Sequence, residues 1–497
     1  MAAHNPENKE NKVAGLSKSR ILIHRQCARR LWLQTNRPDL AEEQAAAASR
    51  MAAGNRVGEL ARSHYPGGLL IDGENLSKAL EDTRQALAER PRPIFEATFD
   101  AGGVLIRADI LWPESSGYRM IEVKSSTKVK DYHYEDAAVQ TWVAKEAGLP
   151  LTGIDIAHID NSFVYPGGGD YSGLFAHADI SKSLSGLESQ VPGWADAARE
   201  TLEARNEPDV ATGEQCSNPF PCPFIKHCSP PVDENAYPPE ILPRGQALAA
   251  ELRAAGYADL RNVPEERLTD PKHLRVRRVS ISGQPELDAA AGDKLRALPY
   301  PRCYLDFETI PFAVPIWAGT RPYQQIPFQW SCHVESADGS IEHREFLAEG
   351  VDDPRRAFAE SLIAALEADG PVLVYNAGFE SARMKETATA FPDLATALHA
   401  AIDRIVDLLP IARDHYYHPA MRGSWSIKVV APAIAPELSY EGLEVAGGGM
   451  AMEAFAEILN PATTPEKRQQ LRNALLKYCE LDSLANLKVA QYFQKGG

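Results

Sequence analysis

The sequence predicts an α/β protein with two domains, each a mixed sheet flanked by helices. Strand-like runs of β-branched and apolar residues recur in two separate stretches, near 94–180 and near 303–375, and helical patterns alternate with them. The length of 497 residues exceeds the roughly 250–300 residues that one hydrophobic core serves. A proline-rich stretch separates the two blocks. We therefore expect domains at 1–235 and 296–497, joined by a helical linker at 236–295.

The elements of the first domain follow from apolar spacing and turn residues. Residues 20–65 predict helices, with an Ala-rich stretch at 41–53. The turn Asp100-Ala-Gly-Gly103 separates the first two strands. The predicted strands lie at 94–99, 104–112, 118–123, 154–164 and 174–180, and the later helices at 134–147 and 184–204.

The second domain follows the same reasoning. Its linker, 236–295, contains short helices around Gly256 that are similar to a helix-hairpin-helix, although a plain helical linker fits the pattern equally well. The predicted strands lie at 303–307, 329–335, 341–347 and 372–375, and the predicted helices at 354–368, 379–396 and 465–491.

Composition and charge limit the class of protein. Hydrophobic residues make up 44% and charged residues 24%, which excludes disordered, collagen-like and membrane-embedded chains. The polar N-terminus and the absence of 18 consecutive apolar residues indicate a cytoplasmic protein without a membrane partner. The net charge of −16 leaves two interpretations: either the partners are not nucleic acids, or the excess carboxylates lie away from a local basic surface and in metal sites.

Carboxylates and an amine lie on neighbouring predicted strands of the first domain. Asp109 is on one strand, and Glu122 and Lys124 lie two positions apart on the next, so they share a face. Two carboxylates can hold Mg²⁺ or Mn²⁺, and an ammonium beside them can orient or deprotonate water and offset phosphate charge. The pattern predicts metal-assisted phosphodiester hydrolysis, although charges that alternate on a half-exposed strand also produce it.

Two more residues extend this group: Glu96 on the preceding strand and Gln140 on the following helix. Together the motifs resemble the PD-(D/E)xK nuclease superfamily in its RecB-like branch, over roughly residues 17–230. The resemblance implies a restriction-endonuclease-like mixed sheet. It also implies a set of site residues: Glu96, Asp109 and Glu122 as metal ligands, and Lys124 and Gln140 as catalytic residues.

The sequence departs from that branch at one position. The branch often carries a histidine after a Gly-rich helix start, where this chain has Gly58. Glu59 and His64 are the candidates to replace it.

Four of the seven cysteines form a candidate cofactor site. Cys216, Cys222 and Cys228 are spaced by five residues, and Cys27 lies at the other end of the domain. Such a set can close around a [4Fe-4S] cluster or a Zn²⁺ ion, or can be four unrelated buried thiols. Zinc sites usually pair their cysteines as CxxC, which this spacing does not match. The arrangement is also similar to iron–sulfur nucleases of the RecB-like branch, including the CRISPR-associated RecB-like exonucleases, and that similarity implies a [4Fe-4S] cluster.

A second group of acids lies in the C-terminal domain. Asp306 and Glu308 share one face of a predicted central strand, and a buried strand with two acids on one face implies a compensating cation. Glu380 follows the strand at 372–375, and Tyr478 and Asp482 lie four residues apart on a helix. In this order the residues resemble the DEDD exonuclease family of the RNase H-like fold, in the subgroup with a tyrosine four residues before the last aspartate.

That second resemblance implies two divalent ions held by the four acids, with Tyr478 positioning the nucleophile. The second motif of the family normally ends in Asp, and here it ends in Glu380, so Asp403 and Asp407 are candidate replacement ligands. The whole chain resembles an uncharacterised bacterial family of predicted nucleases.

The sequence thus predicts a metal-dependent nuclease with two hydrolytic sites, acting on DNA rather than RNA and on single-stranded ends. One alternative is a nucleic-acid-binding protein in which one or both domains are inactive. Another is a zinc-stapled scaffold for protein partners, which would suit the acidic charge.

Overall fold

The computed structural model describes residues 15–42, 46–229, 233, 235–367 and 369–496. The chain forms two compact units: unit 1 is Met1–Pro231 with Phe312–Tyr323, and unit 2 is Val232–Pro311 with Gln324–Gly497. The predicted polar N-terminus without a signal, part of the Ala-rich stretch at 43–45, and Pro230 and Pro231 of the proline-rich stretch lie outside the described residues. The predicted fold class is confirmed, since the protein is mixed α/β with mixed sheets flanked by helices.

Unit 1 begins with helices, continues through a sheet and ends with helices. In chain order its elements are β1 (Leu16–Ser17), α1 (Lys18–Gln26), α2 (Ala28–Asn36), α3 (Ala46–Ser63), β2 (Leu69–Leu70), α4 (Leu76–Ala88), β3 (Ile94–Ala101), β4 (Val104–Glu114), β5 (Gly117–Lys124), α5 (Asp131–Glu146), β6 (Leu151–Ile159), β7 (Phe175–Asp179), α6 (Ser185–Glu188), α7 (Val191–Glu203) and α8 (Ile225–Cys228).

The sheet of unit 1 has the order β2-β3-β4-β5-β6-β7, and β1 pairs with β4. The β3–β4 and β4–β5 pairs are antiparallel, and β5–β6 is parallel. Gly102 and Gly103 form the β3–β4 turn with positive φ values of 58° and 69°, a conformation that glycine adopts without steric cost. This turn sets the register that brings the acidic residues of β3 and β4 together.

Helix α5 packs against the sheet of unit 1 and is buried for much of its length. Ala137, Val139, Val143 and Ala144 are fully buried in the main core cluster of the unit. The parallel β5–β6 connection requires such a crossover helix. The predicted helix at 184–204 is divided into α6 and α7, because Pro192 lies at the start of α7 and cannot continue a preceding helix.

Unit 2 contains a longer series of elements. In chain order they are α9 (Gln246–Ala254), α10 (Pro271–Ser282), β8 (Glu286–Leu287), α11 (Ala289–Arg296), β9 (Arg302–Pro311), β10 (Gln325–Glu335), β11 (Ile341–Leu347), α12 (Arg355–Ala365), β12 (Val372–Val374), α13 (Gly378–Ala390), α14 (Ala395–Ile402), β13 (Ile405–Asp407), α15 (Leu408–His415), β14 (Tyr416–Tyr417), α16 (Ile427–Ile434), α17 (Gly448–Leu459) and α18 (Pro465–Lys495).

The main sheet of unit 2 has the order β11-β10-β9-β12-β13. The β11–β10 and β10–β9 pairs are antiparallel, whereas β9–β12 and β12–β13 are parallel. Strand β9 is therefore central, as expected from its sequence, and it is buried along most of its length. The predicted helix at 379–396 is two helices, α13 and α14, because Pro392 interrupts the helical pattern between them.

The stretch expected to be a linker, 236–295, belongs to the core of unit 2. Leu252, Val276 and Leu295 are buried in the same hydrophobic cluster as Leu373 of β12. The amphipathic faces of α9, α10 and α11 need a partner surface, and unit 2 provides it. The proline-rich sequence before these helices marks the boundary between the units, but no free linker follows it within the described part of the chain.

Within the described ranges, none of the helices is both long enough and apolar enough to span a bilayer.

Candidate functional site

Three carboxylates of unit 1 lie side by side on adjacent strands. In the β3–β4 ladder Phe95 pairs with Ile110 and Ala97 with Ala108. Glu96, between them, therefore lies opposite Asp109. The β4–β5 ladder, extended by one residue, places Asp109 next to Glu122. Asp109 Oδ2 also accepts a hydrogen bond from the backbone N–H of Val123 at 2.7 Å. The predicted acids of the first site are thus neighbours in the sheet, although their oxygens do not all lie within 4.8 Å of one another.

A cavity of about 400 Å³ opens onto part of this group. Glu96, Asp109 and Lys124 line it together with Glu59 and Arg62 of α3. Glu122 is only 1% exposed and lies beneath this surface. A ligand in the cavity would therefore contact Glu96, Asp109 and Lys124 directly, but it would not contact Glu122.

A network of ion pairs surrounds Glu122. Its Oε1 accepts from Lys18 Nζ at 3.0 Å and from Lys124 Nζ at 3.1 Å. Both ammonium groups also contact Asp136. Lys18 Nζ lies 2.8 Å from Asp136 Oδ1, and Lys124 Nζ contacts Asp136 Oδ2. Sequence reasoning missed Lys18 and Asp136. Asp136 precedes Gln140 by one helical turn on α5, which is a visible signal, whereas nothing in the local sequence marks Lys18.

Gln140 holds the other oxygen of Glu122. Its Nε2 donates to Glu122 Oε2 at 3.0 Å and to the backbone carbonyl of Arg107 at 2.8 Å. Its own Oε1 is buried without a hydrogen-bond partner among the described residues. Gln140 therefore positions Glu122, and it does not line the cavity.

The protonation of the first site follows from burial and from these neighbours. Burial, followed by repulsion from Glu122, raises the pKa of Asp109 to about 7. Burial also raises the pKa of Glu96. For Lys124, burial alone would lower the pKa, but the carboxylates of Asp136 and Glu122 outweigh it and raise the pKa above its ordinary value. Lys124 is accordingly an ammonium at neutral pH.

The position of the missing histidine is on helix α3, which lines the cavity. Gly58 and Glu59 both lie at the cavity surface. His64 instead contacts the backbone carbonyls of Leu60 at 2.9 Å and Tyr171 at 3.1 Å. Of the two candidates, Glu59 is thus the one near Glu96 and Asp109.

The four predicted cysteines line one cavity in unit 1. Cys27 lies between α1 and α2, and Cys216, Cys222 and Cys228 lie on the segment that ends with α8. Val210 and Ile225 contribute apolar surface to the same wall. The thiols come together although almost the whole of unit 1 separates Cys27 from the others in sequence.

Charges near the thiols affect their ionisation. Burial raises the pKa values of Cys222 and Cys228, and the guanidinium groups of Arg30 and Arg29 oppose that effect. Arg29 is itself paired with Glu207, to which His227 Nε2 is also bound at 3.1 Å. The two guanidinium groups would offset the negative charge of thiolates bound to a metal or cluster.

The second acidic group lies in unit 2, where β9 meets α18. Carboxylate oxygens of Asp306, Glu308 and Asp482 all lie within 4.8 Å of one another. Glu308 and Asp482 are buried, at 7% and 4% exposure. Three of the four predicted acids therefore form one compact, oxygen-rich cluster, the donor type that Mg²⁺ and Mn²⁺ prefer.

Two residues that sequence reasoning missed complete this cluster. Tyr440 donates from its hydroxyl to Asp482 Oδ1 at 2.6 Å. Lys428 Nζ donates to the hydroxyl of Tyr478 and lies 4.5 Å from the centre of that ring. Lys428 is the charged residue in an otherwise apolar helix, α16, and a charge in such a helix is a usable signal. Tyr440 lies in an irregular loop and has no local signal.

Glu380 lies apart from the other three acids. It is on the first turn of α13, 2% exposed, and its Oε2 has no hydrogen-bond partner among the described residues. Its charge acts on Asp306. Asp407 accepts hydrogen bonds from the backbone N–H groups of Asn376, Ala377 and Leu409. Asp403 is exposed at the end of α14.

Burial raises the pKa values of all four acids, and repulsion within the cluster adds to it for Asp306 and Glu308. The pKa of Asp306 is raised well above its usual range by burial and then by Asp482. Burial, followed by Asp482, raises the pKa of Glu308 to about 8, and burial raises that of Glu380 to about 8. The cluster has more acidic groups than Lys428 can neutralise, which is the electrostatic condition for binding divalent cations.

Comparisons with known proteins cover part of the chain. Residues 303–426 match a family described as Domain of unknown function (DUF2779). "Uncharacterized protein MG366 homolog" of Mycoplasma pneumoniae (strain ATCC 29342 / M129 / Subtype 1) is 27% identical over 229 residues, covering 41% of this chain and 34% of its own. "Uncharacterized protein MG366" of Mycoplasma genitalium (strain ATCC 33530 / DSM 19775 / NCTC 10195 / G37) is 25% identical over 213 residues, covering 39% and 32%.

The chain thus spans about a third of the length of the curated relatives it matches. No solved structure matches it significantly. The matched domain includes Asp306, Glu308 and Glu380 and ends before Tyr478 and Asp482.

Proposed function

We propose that this protein is a divalent-metal-dependent nuclease that hydrolyses phosphodiester bonds at single-stranded DNA ends, with its principal active site in unit 2. The observation that carries the proposal is the cluster of Asp306, Glu308 and Asp482, whose oxygens lie within 4.8 Å of one another beside Tyr478. Buried acids at this density are stable in their charged form only beside a cation. The mixed sheet with β9 at its centre agrees with the RNase H-like resemblance.

The three clustered acids would hold Mg²⁺ or Mn²⁺, with Glu380 as the outer acid of the group. Bound ions supply water activation and stabilise negative charge on the leaving oxygen. Tyr440 fixes the orientation of the Asp482 carboxylate through its hydrogen bond. Lys428 orients the hydroxyl of Tyr478 and adds a positive charge beside the acidic cluster, where it could offset phosphate charge.

Unit 1 carries the second proposed site. Asp109 and Glu96 face the cavity and would bind the divalent ion there, while the charged Lys124 offsets phosphate charge. Because Lys124 is held as an ammonium, it is suited to orienting water rather than deprotonating it.

A second candidate function for unit 1 is nucleic-acid binding without turnover. Both oxygens of Glu122 are already bound, by two lysines on one side and by Gln140 on the other. To bind a metal ion, Glu122 would have to lose some of these hydrogen bonds. This favours nucleic-acid binding without turnover for unit 1.

We also propose a [4Fe-4S] cluster at the four cysteines. The supporting observation is that Cys27, Cys216, Cys222 and Cys228 line one cavity. The five-residue spacings of the last three cysteines differ from the CxxC pairs usual in zinc sites, which favours the cluster over zinc.

The experiment is a cleavage assay with purified full-length protein. Single- and double-stranded DNA and RNA, labelled at either end, are incubated with Mg²⁺, Mn²⁺ or EDTA. We expect metal-dependent release of nucleotides from single-stranded DNA. Asp306→Ala, compared with wild type in the Lys124→Ala background, should reduce the release by unit 2 by at least about 100-fold, because removal of one ligand disrupts the ion site.

The matched control is Asp352→Ala, which removes an exposed acid of the same unit outside the cluster. It should keep wild-type activity. Equal activity of Asp306→Ala and wild type, or no cleavage of any substrate by wild type, would contradict the proposal. Preferential cleavage of RNA would support nuclease activity but would show that the substrate is RNA rather than DNA.

A further inference from the structure

Two histidines and a glutamate form a separate cluster on the outer part of the unit 2 sheet. His333 of β10 and His343 of β11 are directly paired across the antiparallel ladder, and their ring centres are 4.6 Å apart. Glu480 of α18 lies beside them, and one ligand atom from each of the three residues falls within 4.8 Å of the other two. Neither proposed nuclease site uses these residues.

The hydrogen bonds of the two rings orient them for a ligand. His333 Nδ1 lies 2.9 Å from Ser483 Oγ, and His343 Nε2 lies 2.8 Å from Ser331 Oγ. The two serine hydroxyls are in turn 2.7 Å apart. Each ring thus has one nitrogen held by a serine and the other left for a ligand, and His343 Nδ1 is 3.9 Å from Glu480 Oε1. Metal-binding histidines characteristically have the second nitrogen held in this way.

From this arrangement we infer a zinc site formed by His333, His343 and Glu480. Two imidazoles and one carboxylate are a common zinc ligand set, and the fourth position would be left to water. Ligand atoms around one zinc ion lie roughly 3.3 Å apart, so the present distances of up to 4.8 Å have to shorten by up to about 1.5 Å. The nitrogen ligands distinguish this site from the all-oxygen cluster of Asp306, Glu308 and Asp482, which suits Mg²⁺ or Mn²⁺.

The charge and burial of the ligands agree with this assignment. His333 is 5% exposed, and burial, His343 and Lys488 lower its pKa to about 4, so its ring is neutral at physiological pH and able to bind a metal. His343 is 24% exposed, which leaves a path for the ion from solvent.

The site has a structural consequence for helix α18. Glu480 lies between Tyr478 and Asp482 in sequence, on a different face of the helix from them. A zinc ion bound here would join the β10–β11 hairpin to the helix that carries two residues of the acidic cluster. The inference concerns zinc binding and stability, and it does not depend on nuclease activity.

The test is zinc binding by the full-length protein, measured by isothermal titration and by elemental analysis after gel filtration. We expect His343→Gln and Glu480→Gln each to lose one bound zinc equivalent, with at least about 100-fold weaker affinity for it. Zinc bound at the cysteines or at the acidic cluster is common to all variants, so the difference isolates this site. Glu466→Gln, an exposed acid on the first turn of α18, is the matched control and should keep the equivalent.

Equal zinc content and affinity in wild type, His343→Gln and Glu480→Gln would overturn the inference. A second measurement covers variants that fail to fold. Wild-type protein is treated with diethyl pyrocarbonate with and without zinc, and modification of His343 is followed by mass spectrometry. Zinc should protect His343 from modification, and unchanged modification would also overturn the inference.

Discussion

Glu308 links the charge of the acidic cluster to the stability of the fold. Its pKa is raised to about 8 by burial and by Asp482, whereas an unfolded glutamate has a pKa of about 4.3. Between these pH values the folded chain binds more protons than the unfolded chain. The free energy of unfolding of the metal-free protein therefore falls as pH rises towards 8.

We predict that Glu308→Gln makes the stability of the metal-free protein less dependent on pH, because glutamine does not titrate. Between pH 6 and pH 8.5 the wild type should lose more unfolding free energy than the variant, on the order of 1–2 kcal/mol. Urea unfolding in EDTA at the two pH values measures this difference. Parallel losses in both proteins would show that Glu308 is ionised in the folded state. Adding Mg²⁺ at pH 8.5 should restore stability to the wild type more than to the variant.

Lys428 is the cation that contacts Tyr478. We predict that Lys428→Met reduces DNA cleavage by about 10²–10³-fold, since it removes a preorganised positive charge while keeping a side chain of similar length. Lys428→Arg should recover part of the activity. The measurement is the cleavage rate at saturating Mg²⁺, with circular dichroism as the test of folding. If Lys428→Met cleaves at the wild-type rate, the lysine only packs against the rings of Tyr440 and Tyr478.

At the scale of elements, the cavity with the four cysteines is lined by two segments of unit 1 that are distant in sequence. Cys27 follows α1 and Cys228 ends α8, so a cluster at these thiols would join two elements that are distant in sequence. The free energy of ligation then contributes to folding.

We predict that Cys222→Ser and Cys228→Ser lose the brown iron–sulfur colour and unfold at lower temperature than wild type. A Ser217→Ala variant changes a neighbouring exposed residue and should keep both properties. Visible absorbance measures the colour, and a thermal melt measures the unfolding temperature. A colourless Cys228→Ser protein that melts at the wild-type temperature would show that the cluster does not stabilise unit 1.

Local sequence patterns predicted the long elements better than the short ones. Strands β4 and β10 have enough alternating or continuous apolar residues to be recognised, and the acids on β4, β5 and β9 could be placed from strand periodicity. Strand β13, Ile405–Asp407, has three residues and therefore no measurable period. Lys18 and Tyr440 reach their sites through contacts with residues 104 and 42 positions away, which no local pattern encodes.

At the scale of the whole molecule, the two proposed active sites lie in different units. We predict that they can be inactivated separately. Lys124→Ala should remove the activity of unit 1 and leave the activity of unit 2, and Asp306→Ala should do the reverse. The double variant should be inactive on every substrate. Product patterns on end-labelled DNA, resolved on a sequencing gel, measure the outcome.

Two results would change this assignment. Wild-type cleavage by the double variant would place the chemistry at other residues. Wild-type activity of Lys124→Ala, together with complete loss of activity in Asp306→Ala, would mean that unit 1 binds nucleic acid without cleaving it. The hydrogen bonds to both carboxylate oxygens of Glu122 favour this outcome.

The segment Phe312–Tyr323 belongs to unit 1 although it is far from the rest of that unit in sequence. Ala313 and Val314 share a buried apolar cluster with Val57, Ile159 and Leu174. During synthesis on the ribosome, the chain from Pro231 to Phe312 has to be translated before this cluster can close, which takes on the order of 10 s. Until then Val57, Ile159 and Leu174 lack the contacts of Ala313 and Val314, and a fragment truncated at residue 231 would lack them permanently.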